Sequence, residues 1–160
     1  MKSFALGIDT SNYTTSAALC AGDSGHPAGV RIFAQKKRPL PVKEGERGLR
    51  QSDALFAHTV ALPEVLEELA SEAPRDPDFR IMAVGYSGRP RDLDGSYMPC
   101  FLAGESVARG IAAADGIPAY RFSHQAGHIA AAAYSAGDAC FWEAPFLAFH
   151  LSGGRRICCP

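Results

Sequence analysis

Two histidines four residues apart, His124 and His128, stand in the run His124-Gln125-Ala126-Gly127-His128. On a helix such residues share a face, so both imidazoles can reach one metal ion. The run lacks the glutamate of the His-Glu-x-x-His zinc proteases; Gln125 stands there and cannot act as a general base. Two imidazoles leave a metal short of protein ligands, and two ordinary helical histidines have the same spacing. Near the start, Gly7-Ile8-Asp9-Thr10-Ser11 offers a carboxylate and two hydroxyls at a hairpin tip. That chemistry suits a phosphate or a metal-bound water, although the same residue types crowd ordinary turns. Late in the chain, Leu151-Ser152-Gly153-Gly154 is a glycine turn at a strand end. Its bare backbone N–H groups can close on a phosphate or acyl group, or merely reverse the chain.

These groups need elements to hold them. Phe4–Ile8, Thr14–Cys20 and Val30–Gln35 read as three successive strands, the first turn presenting Asp9 to Ser11. Lys36 to Arg50 is basic and broken by Pro39, Pro41, Gly45 and Gly48, which predicts a loop, with a phosphate-binding arm as the sharper alternative. A helix is predicted with Ser52 as N-cap and Leu55, Phe56, Thr59 and Leu62 on one side, kinked or restarted at Pro63. Ile81–Tyr86 and Ala119–Phe122 are predicted strands, with a small-residue helix over Leu102–Ala114 between them, ended at Gly116. Ser123 caps a helix running to about Tyr134, and Phe146–Leu151 closes the pattern as a strand. A meander followed by alternating units implies an α/β fold with a mixed sheet.

The 160 residues suffice for one domain or one lobe of a larger fold. A formal charge of -1 provides no global field to grip a polyanion, so nucleic-acid contact would need a local patch or a partner. No apolar run approaches a membrane span, and Asp9 arrives too early for a secretory leader, so no membrane role and a cytoplasmic location are expected. Five cysteines without a Cys-x-x-Cys pair argue for a reduced chain whose thiols are structural.

Taken in order, Gly7-Ile8-Asp9-Thr10-Ser11, His-x-x-Gly-His after a strand, and Ser-Gly-Gly after the next resemble the tRNA threonylcarbamoyladenosine transferase family, also known as the glycoprotease family. Ala83-Val84-Gly85-Tyr86-Ser87-Gly88 and the helix bearing Gly104 and Gly110 agree with it. The resemblance covers about residues 3 to 154 and implies an actin-like ATPase (ribonuclease-H-like) lobe with a five-stranded mixed sheet and flanking helices. It implies residues 1–144 as a first lobe and 145–160 as the start of a second.

The family transfers a threonylcarbamoyl group from threonylcarbamoyl-AMP to N6 of a tRNA adenosine, forming t6A37. By position, His124 and His128 match its metal ligands, for iron or zinc. His150, Leu151, Ser152, Gly153 and Gly154, with Asp9, Thr10 and Ser11, match segments facing threonylcarbamoyl-AMP or ATP. The anhydride is already activated, so no protein nucleophile is required and no catalytic side chain is assigned. Expected partners are tRNA, an actin-like subunit and an ATPase subunit.

The chain also departs from the family. Asn12-Tyr13 follows Thr-Ser where an acidic residue is common, and Gly88-Arg89-Pro90-Arg91 replaces a Gly-Pro-Gly loop. The third metal ligand, a second-lobe aspartate, has no counterpart, and Arg155 to Pro160 replaces the family's Thr and apolar strand, which reads as a truncation or frame change. Negligible transferase activity is therefore expected of this chain alone. The alternatives are a non-catalytic partner lobe, a glycoprotease-type metallopeptidase, and a sugar- or acetate-kinase relative.

Overall fold

The computed structural model describes residues 2–11, 13–22, 29–41, 49–152 and 155–159. The elements run β1 (Lys2–Ser11), β2 (Thr14–Ala21), β3 (Arg31–Pro39), α1 (Gln51–Glu72), β4 (Phe79–Arg89), α2 (Phe101–Asp115), β5 (Ala119–Ser123), α3 (His124–Ala136), α4 (Cys140–Glu143), β6 (Ala148–Ser152) and β7 (Arg155–Cys159). The first five strands form one sheet in the order β3-β2-β1-β4-β5. β1, β2 and β3 pair antiparallel, whereas β4 and β5 run parallel to β1. This is a mixed five-stranded sheet with flanking helices, as the sequence implied.

Alternation along the strands decides which face is dry. Phe4, Leu6 and Ile8 of β1, Ala17 and Leu19 of β2, and Val84 and Tyr86 of β4 are buried in one cluster with Leu62, Val65 and Leu69 of α1 and Ala108 and Ala112 of α2. The parallel pairs follow because α1 and α2 carry the chain back across this face between strands. Gly104 lets α2 lie against β1: a Cβ there would meet Thr10 Oγ1 at 2.9 Å and Ile8 Cγ2 at 3.2 Å. Gly116, at φ 64°, ends α2 in the left-handed region.

Several boundaries differ from the sequence reading. β3 continues through Lys36, Lys37 and Arg38 instead of opening into a loop at Lys36. Two of these charges are met: Lys36 pairs with Glu72, and Arg38 with Glu64 and Glu68, all on α1. That pairing removes two of the cations on which a phosphate-binding arm would draw; residues 42–48 of that segment lie outside the described residues. α1 begins one residue before Ser52, with Arg50 as N-cap and no side-chain cap bond, and it runs through Pro63 to Glu72. Its buried face is Ala54, His58, Ala61, Leu62, Val65 and Leu69, while Phe56 points outward at 72% exposure. The tail is also a correction: Arg155–Cys159 is a strand paired antiparallel with β6, not a break in strand pattern.

Candidate functional site

The carboxyl ends of β1, β4 and β5 lie side by side, the edge where open α/β sheets present ligand-binding groups. β1 ends in Asp9, Thr10 and Ser11, β4 in Ser87, Gly88 and Arg89, and β5 in Ser123, immediately before His124. Ser123 is 1% exposed and caps α3, its Oγ accepting from the Ala126 N–H at 3.1 Å. The first helical residue is thereby aimed across the sheet at β1.

His124 Nδ1 lies 3.0 Å from Asp9 Oδ1. Burial pushes the Asp9 carboxyl up, but the bond and charge of His124, with the hydroxyls of Ser11 and Ser87, outweigh it and leave the pKa below 3.8. Asp9 is then an ionised acceptor, and the proton of that bond belongs on His124 Nδ1. The other ring nitrogen, Nε2, faces His128, whose Nε2 is 2.8 Å away. The His128 ring contacts that of His150, with centroids 5.0 Å apart. Burial, reinforced by His124 and His150 and opposed by Asp9, holds the His128 pKa below 6.5, which favours the neutral ring. Phe101 backs His124 with ring centroids 6.2 Å apart.

This arrangement fits half of a metal site. A carboxylate that holds one imidazole nitrogen so that the other faces outward is the usual arrangement behind a histidine ligand. Two Nε2 atoms converge where a proton is shared, and a divalent cation would take that proton's place. Among the described residues, no group of three or more His, Cys, Asp or Glu side chains could hold a metal ion. Remaining ligands would have to be water, substrate or another chain segment.

The other predicted positions divide. Ser11 joins the site, its Oγ donating to Asp9 Oδ2 at 2.6 Å. Thr10 does not: it is fully buried, donating to the Cys100 carbonyl at 3.0 Å and accepting from the Gly104 N–H at 3.2 Å. Its hydroxyl thus pins the start of α2 beside β1. His150 is brought to His128 from β6, which also carries Leu151 and Ser152; Gly153 and Gly154 lie outside the described residues. Gln125 is 8% exposed with an unpartnered Nε2, so its side chain belongs to the packing under α3. Sequence reasoning passed over Ser87 and Asp92, although a strand's carboxyl end followed by a polar loop was the available signal.

No protein-family model matches the chain. Over 154 residues, 95% of its length, it is 29% identical to a tRNA N6-adenosine threonylcarbamoyltransferase of Magnetococcus marinus. The chain is thus similar to that transferase along nearly all of its own length. It spans 42% of the length of the curated relative it matches. Among solved structures it aligns with YeaZ from Pseudomonas aeruginosa over 76% of this chain and 44% of that one, at 21% identity and a TM-score of 0.48. It also aligns with an Aquifex aeolicus Ppx/GppA family member over 84% and 40% of the two chains, at 16% identity and a TM-score of 0.41. No helix among the described residues is long and apolar enough to cross a membrane.

Proposed function

We propose that the chain is a threonylcarbamoyltransferase-like first lobe that binds one divalent metal, iron or zinc, through His124 and His128. Residues 1–144 form that lobe and 145–160 begin the second. The observation that carries the proposal is the line from Asp9 to His124 to His128 at the carboxyl edge of the sheet, in a chain related to a named transferase. When bound, the metal would polarise the carbamoyl-phosphate anhydride of threonylcarbamoyl-AMP. The chain's own part is orientation. Asp9 holds His124, Ser11 shares the Asp9 carboxylate, and Thr10 fixes the β1 end against α2. By the same resemblance, His150, Leu151, Ser152, Gly153 and Gly154 correspond to a segment that would contact the adenylate.

In the family the sequence resembles, the acceptor is N6 of the tRNA adenosine that becomes t6A37, and we propose the same acceptor here. The formal charge of -1 and the α1-paired Lys36 and Arg38 leave most of the tRNA-binding surface to partners. Exposed Phe56 and Val60 on α1 and Leu102 on α2 support an actin-like partner subunit seated on those helices.

Equilibrium binding of threonylcarbamoyl-AMP to the 160-residue chain tests the reading. Metal-dependent binding that weakens in Asp9→Ala and His128→Ala is expected, without appreciable turnover of tRNA. Binding indifferent to metal and to both substitutions would refute it.

A further inference from the structure

The loop after β4 departs from the Gly-Pro-Gly pattern of the family that the sequence resembles, and it grips the start of α3 at two points. The Pro90 carbonyl accepts from the Gln125 N–H at 3.1 Å. Asp92 Oδ2 accepts from Ser123 Oγ at 2.7 Å. Asp92 is itself held by Arg89, whose Nε and Nη2 approach Oδ1 at 3.1 and 2.5 Å. A serine hydroxyl has one proton, and Asp92 takes it. That leaves a lone pair of Ser123 Oγ directed at the Ala126 N–H. The carboxylate therefore decides how the buried cap is oriented, and the cap decides the direction of the next residue, His124.

We infer that Asp92, anchored by Arg89, is a positioning residue that sets the His124 imidazole through the Ser123 cap. The inference rests on the metal-binding reading for its functional meaning, since His124 is one of the two ligands proposed there. Arg89 also gains a reason for standing where the family's loop is small and uncharged. Asp92 is half-exposed, so replacing it leaves no buried orphan of its own. Its effect must travel through Ser123, which is where a test can look.

The experiment compares Co(II) binding, followed by its visible absorption, in the full chain and in Asp92→Ala, Asp92→Asn, Ser123→Ala and the Asp92→Ala/Ser123→Ala double variant. Asp92→Ala is expected to weaken binding about tenfold, the lower end of what outer-shell partners of a ligating histidine contribute. Asp92→Asn keeps an acceptor for the Ser123 hydroxyl and should stay near the parent. The double variant should be no worse than either single one, because both act along one path. Equal affinity in Asp92→Ala and the parent, or additive losses in the double variant, would overturn the inference. Imidazole 15N NMR separates it from the metal reading. Were the parent chain not to bind Co(II), that reading would fall. Loss of the hydrogen-bonded His124 Nδ1–H signal in Asp92→Ala but not Asp92→Asn would still support positioning, and an unchanged signal would defeat it.

Discussion

The face of the sheet under α1 and α2 and the carboxyl edge of the same sheet are built from the same strands to opposite specifications. Under the helices, Leu62, Val65, Leu69 and Val84 are at most 2% exposed, and apolar burial supplies the stability. At the edge, Asp9, Ser11, His124 and His128 are linked by hydrogen bonds and half open. One residue's step along β1 separates the two: Ile8 is buried in the core, and Asp9 on the opposite pleat reaches His124. Rigid packing thus fixes groups whose own interactions contribute little to holding the fold. Changes to the core should move stability and spare the site, and changes to the edge should do the reverse.

The largest effect should come from Leu62→Ala, which empties a fully buried position and is expected to cost about 2–5 kcal/mol in urea unfolding. Metal affinity of the folded fraction should be unchanged. Asp9→Ala is the mirror image. Calorimetry should show metal binding weakened by about 10–100-fold, because the carboxylate orients His124, with only a modest loss of stability at neutral pH from the lost bonds to His124 and Ser11.

How far the sequence carried this picture differs between the two regions. Period-two alternation in β1 and β2 made the strands legible, and Gly116 and Ser123 marked helix ends where they occur. The face of α1 was misjudged because Phe56 looks like core by type, whereas small Ala54 packs with Leu40, Cys100 and Phe101 and polar His58 meets Thr15 of β2. β3 was cut short because Lys36 and Arg38 read as loop residues; their charges are satisfied by Glu64, Glu68 and Glu72, far along the chain on α1. At the site, the four-residue spacing made the shared face of His124 and His128 legible, but only the order of the three motifs marked the pair as a candidate site. The Asp9 bond to His124 spans 115 positions, and no local pattern encodes it.

His58 blurs the division in a measurable way. It is fully buried, with Nδ1 2.7 Å from Thr15 Oγ1 and Nε2 without a partner among the described residues. Burial lowers its pKa below 6.5, with Asp9 opposing. The folded state therefore resists a proton that the unfolded chain accepts. Stability should be full above about pH 6.5 and fall as the pH drops below it, by at most about 1.4 kcal/mol per unit, until His58 protonates in the fold. Denaturant midpoints between pH 7.5 and 5 check this. Replacing both polar partners, His58→Leu with Thr15→Val, should flatten most of the slope, since His128 is more exposed and contributes less. A slope that survives the pair would mean the edge, not the core, carries the acid sensitivity.

The smallest effect belongs to the rim. Arg38→Ala removes ion pairs to Glu64 and Glu68 between half-exposed side chains and should cost no more than about 1 kcal/mol in 0.15 M salt. A much larger loss in the same unfolding assay would show that β3 depends on charge pairing for its place in the sheet.

The most direct test of the central claim is calorimetric titration of the metal-free chain with Zn(II), in parallel with His124→Ala/His128→Ala. The parent chain should bind one equivalent with release of protons, and the double variant, unfolding near the parent midpoint, should show no comparable binding. Equal binding by both proteins would contradict it and remove the carboxyl edge as a metal site.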